Sequence, residues 1–229
     1  MLHSYLKSKK GFTLFEILLV ITIMAIISVA ALTSTISVQR QFVFLNNFKE
    51  ILNKVREARA DAVTQKSVEL TPADATENPG IPSSYGVHIK KNENQITVTV
   101  FADLTTSSTQ NGFDDSESLL PDLVIGQPYS FDATKYNLTI FDDTATNLQT
   151  DPPALNINAG DTLTLLYSPI EIKVVATGYD LELQTNHPFP GSYISLKLAD
   201  SKVPTLTKNI TLFLRSGIAE SIQNLPVTP

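Results

Sequence analysis

The sequence predicts an α+β chain, in which one long N-terminal helix precedes an antiparallel β-rich domain. Three observations carry this. An apolar run starts at Phe12, a stripe of apolar residues at helical spacing continues it, and short alternating segments between turn residues fill the remainder. A length of 229 residues suits one ordinary domain plus an extended element.

The helix comes first. From Phe12 to Gln39 the only ionisable side chain is Glu16, and the next charge is Arg40. About 20 helical residues cross a hydrocarbon core of about 30 Å, so this run is long enough to span a membrane. Lys7, Lys9 and Lys10 precede it, which places the N-terminus in the cytoplasm by the positive-inside rule. A secretory signal peptide fits less well. Its apolar region is usually about 7–15 residues, and only Ala30-Ala31 offers a weak cleavage site here.

No proline occurs before Pro72 and no glycine between Gly11 and Gly80, so the helix can continue beyond the apolar run. Leu45, Phe48, Leu52, Val55, Arg59 and Ala62 follow steps of three and four, with Ile51, Ala58 and Val63 beside them. That stripe predicts a face on which a β-domain packs. Lys49, Glu50, Lys54, Glu57 and Asp61 are expected on the opposite side, with Glu50 and Lys54 as an i,i+4 pair.

From Ser67 the helical pattern stops and Pro72, Pro79-Gly80, Pro82 and Gly86 punctuate the chain. Strands are predicted at 87–90, 95–101, 138–141, 162–167, 170–175, 179–183, 193–198 and 209–214. Ile96-Thr97-Val98-Thr99-Val100 shows the alternation of a strand with one solvated face.

Within the apolar run Glu16 stands out. A carboxylate there costs about 2.5–3.5 kcal/mol on insertion scales, so a partner is expected. Its context is Lys9-Lys10-Gly11-Phe12-Thr13-Leu14-Phe15-Glu16, then Ile17-Leu18-Leu19-Val20-Ile21. This stretch resembles the class III signal of type IV pilins and type II secretion pseudopilins. The resemblance implies cleavage by prepilin peptidase between Gly11 and Phe12, methylation of the new amine on Phe12, and a role for Glu16 in filament assembly. It also implies other pilin subunits, an inner-membrane assembly platform and the lipid bilayer as partners. The chain would sit in the bacterial inner membrane, then in a periplasmic or surface filament. A glycine before the cut lets the backbone approach a protease closely. Cleavage creates an ammonium four positions before Glu16, and such a pairing offsets the desolvation of a carboxylate. On this reading residues 1–11 are the leader, 12–39 the membrane and assembly half of the helix, 40–66 its amphipathic half, and 67–229 the β-domain.

A narrower resemblance covers the segment Phe48–Val63 leading into Ser67-Val68-Glu69-Leu70, and the late segments Ile194–Leu198 and Ile210–Gly217. These look like the GspH/FimT-like minor pilins, in which an Ala-Arg-x-x-Ala helix leads into the first strand.

Other functions leave fewer traces. The chain has no cysteine, and no G-x-S-x-G, H-E-x-x-H or P-loop pattern occurs, so neither catalysis nor a cofactor is expected. Asp103, Asn111, Asp114, Asp115 and Glu117 offer oxygen ligands, but their spacing does not fit an EF-hand. A solvated acidic loop is the better reading, and no metal is expected. Removing residues 1–11 with their three lysines takes the formal charge from −6 to −9, which argues against nucleic acid as a partner. A DNA-uptake pilin is one alternative, though Arg215 is the only base in Arg215–Ser221. A membrane-anchored adhesin or ligand-binding module is the other.

Overall fold

The computed structural model describes residues 12–67, 82–103, 122–142, 154–168, 174–180, 185–189 and 191–222. Of these, 31–35, 142, 154–156, 174–180, 185–188 and 222 are described by backbone alone. The architecture is α+β, as the sequence predicts. Two compact units divide the chain, 1–44 and 45–229, and α1 (Leu14–Thr64) contributes to both.

In the first unit every described side chain from Phe12 to Ala30 is exposed. Among the described residues no helix is long and apolar enough to cross a membrane. The described side chains of the apolar run stop at Ala30 and resume at Ile36, so the crossing expected of 12–39 is taken up below as a proposal.

In the second unit the stripe on α1 supplies the core. Phe48, Ile51, Leu52, Val55, Ala58 and Ala62 are buried and pack on two antiparallel sheets. The first sheet has the order β3-β2-β1-β6-β7-β8. Its strands are β1 (Ser84–Lys91), β2 (Gln95–Asp103), β3 (Leu123–Asp132), β6 (Thr162–Tyr167), β7 (Val174–Asp180) and β8 (Thr185–Pro188). The second has the order β11-β10-β9-β4-β5, built from β4 (Tyr136–Asp142), β5 (Ala154–Asn156), β9 (Tyr193–Asp200), β10 (Thr207–Phe213) and β11 (Ile218–Ile222). Alternation decides the faces. Tyr85, Val87 and Ile89 of β1 are buried with Leu163 and Leu165 of β6, and Ile194, Leu196 and Leu198 of β9 with Ile210 and Leu212 of β10.

Polar links join α1 to both sheets. Tyr129 of β3 donates to Asn47 Oδ1 at 2.7 Å. Arg56 Nη2 donates to Ala219 O at 3.3 Å and Arg59 Nε to Ser216 O at 3.2 Å. Arg59 therefore stands in the apolar stripe because its head group ties the β10–β11 turn to the helix while its stem packs.

Several expectations are corrected. Asp61 is buried, with Oδ1 3.5 Å from Lys66 Nζ, rather than on the solvated side. Val63 is half exposed. Lys54 pairs with Glu57 at 3.0 Å, one turn ahead of it, rather than with the Glu50 expected. Of the two strands predicted at 170–175 and 179–183, residues 170–173 and 181–183 lie outside the described residues, and what lies between them is one strand, β7, with Gly178 inside it. The acidic loop beyond Asp103 lies outside the described residues.

The helix ends without glycine or proline. Gln65 takes a left-handed conformation, φ 48°, and Gln65 N donates to Ala62 O while Lys66 N donates to Asp61 O. This is a Schellman motif, a geometry that normally recruits glycine. Gln65→Gly should therefore raise stability, by about 0.5–1 kcal/mol, in thermal melts of the full chain. A lower melting temperature would contradict this account of the helix stop.

The β3–β4 turn is closed by Asp132. Its Oδ1 accepts from Thr134 N at 2.9 Å and Thr134 Oγ1 at 2.6 Å, and its Oδ2 pairs with Lys135 Nζ at 2.8 Å. The hydrogen bond from Lys135, then those from Thr134, hold this carboxyl well below its ordinary value of 3.8, at about 2. A depressed folded-state value stabilises above the unfolded value, and that contribution is lost as pH falls through the folded one. The melting-temperature gap between wild type and Asp132→Asn should thus be constant above about pH 5 and close between about pH 4 and 2. A gap that persists at pH 2 would exclude Asp132 as the source.

Candidate functional site at the start of the helix

The chemistry singled out in the sequence falls on the first turn of α1. Phe12 precedes the helix and is 84% exposed. Gly11 lies outside the described residues. Thr13 is the N-cap, and Ile17 N donates to Thr13 O at 3.3 Å as the first helical bond.

Glu16 folds back onto Thr13. Thr13 N donates to Glu16 Oε2 at 2.8 Å and Thr13 Oγ1 donates to the same oxygen at 3.0 Å. In return Glu16 N is 3.2 Å from Thr13 Oγ1. This is a capping box, in which a Thr and a Glu three residues apart satisfy each other's backbone donors. The carboxylate also lies in the first turn, where the helix dipole favours negative charge. An isolated acid in an apolar run thus acquires two donors from its own chain.

The arrangement brings Glu16 to within one peptide unit of Phe12, the residue whose nitrogen would become an amine on cleavage. Among the described residues no cluster of three or more His, Cys, Asp or Glu side chains could hold a metal. Thr13 was overlooked as a partner of Glu16. The signal was present, since Thr-x-x-Glu before an apolar run is the sequence form of a capping box.

One comparison with known families bears on this stretch of the chain. Residues 6–32 match the family model of the prokaryotic N-terminal methylation motif. The match covers the basic stretch, Gly11, Phe12, the capping box and the apolar run as far as Leu32. It marks the chain as pilin-like, with the class III signal of a prepilin peptidase substrate, and points to a filament subunit that assembles with other pilins. No curated protein and no solved structure matches the chain.

Proposed function

We propose that the chain is a structural subunit, a minor pilin or pseudopilin, of a type IV pilus or type II secretion-like filament. The observation that carries the proposal is the motif at 6–32, in which Glu16 stands capped beside the processing junction. Prepilin peptidase cuts between Gly11 and Phe12, and the new amine of Phe12 is methylated. Residues 12–39 hold the subunit in the inner membrane until it is extracted into the filament.

The side chains of the first unit support this. Leu14, Phe15, Ile21, Met24, Ile26 and Ile27 are each more than 60% exposed. A contiguous apolar surface of that kind marks a membrane or protein contact. Lipid covers it before assembly and the helices of neighbouring subunits cover it afterwards. Glu16 guides docking. Both hydrogen bonds from Thr13 fall on Oε2, and Oε1 carries neither of them, so one carboxylate can cap its own helix and meet a neighbour's Phe12 ammonium. The stripe on α1, the arginines at 56 and 59 and the closing β9–β10 pair favour the GspH/FimT-like subgroup.

A DNA-uptake role is less well supported. Arg56 and Arg59 are engaged with backbone carbonyls, which leaves exposed Arg215 as the base at that end of the sheet. Expression with the cognate assembly machinery tests the proposal. The chain should enter the sheared filament fraction when prepilin peptidase is present and stay with the membranes when it is absent. Recovery in the filament fraction without the peptidase would sink it.

A further inference from the structure

The outward face of the second sheet carries three polar atoms without a hydrogen-bond partner, and they lie together. Ser195 of β9 and Thr211 of β10 are direct cross-strand neighbours, 0% and 2% exposed. Their Oγ and Oγ1 atoms are buried and unpaired among the described residues, as is Oδ1 of Asn209, two residues from Thr211 on the same face. They belong to the face opposite the core, because Leu196, Ile210 and Leu212 point inward. Each such group costs about 1–3 kcal/mol when desolvated without a partner. Alanine or valine would fill these positions without that cost.

Aromatic rings border the polar patch. Tyr193 and Phe213 are paired across the strands with centroids 6.4 Å apart, and Phe213 is 36% exposed. On the other side Phe141 is the cross-strand partner of Ser195. Lys197 Nζ lies 6.0 Å from the centroid of that ring, and Lys197 is opposite Asn209. Glu220 of β11 is opposite Thr211.

We infer that this face binds an uncharged oligosaccharide, whose ring CH faces stack on Tyr193 and Phe213 while its hydroxyls pair with Ser195, Thr211 and Asn209. The chemistry selects this class. A hydroxyl both donates and accepts, so one polyol satisfies two hydroxyls and a carboxamide oxygen. An apolar helix laid on the face leaves all three unpaired. A peptide strand adds at a sheet edge through backbone bonds, not on a face. Nucleic acid requires several cations, and among the residues named on this face Lys197 is the one cation. Lys197 rests towards Phe141, the cross-strand partner of Ser195, and the sugar takes that place.

Saturation-transfer NMR tests this with the full chain in phosphocholine micelles and cellotriose, maltotriose and chitotriose as probes. At least one should receive saturation at its ring CH protons with a dissociation constant of about 1 mM or tighter. Ser195→Ala with Thr211→Val should weaken it about tenfold or more, with a melting temperature equal to or above wild type. Tyr193→Leu should weaken it as well, and serves if the double variant misfolds. Absence of transfer to all three sugars at about 10 mM would overturn the inference. So would binding that survives both variants.

Discussion

Gly86→Ala should cost the β-domain about 2–3 kcal/mol, a large share of the total stability of an ordinary domain. Gly86 of β1 faces Phe101 of β2 in the register, and the Phe101 ring lies across the glycine where a side chain would begin. A Cβ there would also stand 2.9 Å from Leu165 O of the other flanking strand. The methyl group therefore has backbone on one side and a fully buried ring on the other. Either the ring leaves, losing about 1.5–3 kcal/mol of burial, or the central strands separate. Thermal or urea unfolding of Gly86→Ala measures the cost. Phe101→Leu in the same chain should recover part of it, since the two changes share one space. A Gly86→Ala protein that melts with wild type would show that this contact is not tight.

Glu16→Ala should abolish assembly while leaving the β-domain intact. The substitution removes both hydrogen bonds to Thr13 and the acceptor proposed for a neighbour's amine. Loss of the cap alone costs about 1 kcal/mol of local helix stability. Loss of a charge pairing in an apolar bundle costs several times more, because it leaves an ammonium buried without a partner. Thr13→Ala separates the two, since it removes the hydroxyl and keeps the carboxylate. Filament yield should fall to background in Glu16→Ala and only modestly in Thr13→Ala. Equal loss in both would mean that capping, rather than pairing between subunits, is what Glu16 contributes.

The sequence showed the elements with the longest periodic signal and missed those that break local rules for tertiary reasons. The helix was legible because two kinds of apolar pattern run through it without glycine or proline, and it ends at Thr64, close to the expected residue 66. The form of the stop was not, because Gln65 occupies a position that sequence logic reserves for glycine. Strand β3 was missed because Gly126 and Pro128 fall inside it. Proline is tolerated there since β3 is the edge of its sheet, and the register shift between Val98 and Val100 accommodates the irregularity. Strands β5 and β8 are too short to alternate, and Ala219, Glu220 and Ser221 give β11 little strand propensity.

The methylation motif was legible because its basic flank, Gly-Phe pair and lone acid are contiguous. The capping partner Thr13 was legible and passed over. Ser195 and Thr211 could not be singled out, because alternation alone places them on a solvated face. Only the side chains around them reveal that they are covered.

The central claim is that this chain is a prepilin, and its N-terminus tests that most directly. Intact mass and N-terminal sequencing would be measured on protein made with and without prepilin peptidase. The account predicts a peptidase-dependent product that begins at Phe12 and carries one additional methyl group. A chain that remains uncut with the peptidase present, or one cut after Ala30 by the general secretory route, would contradict it.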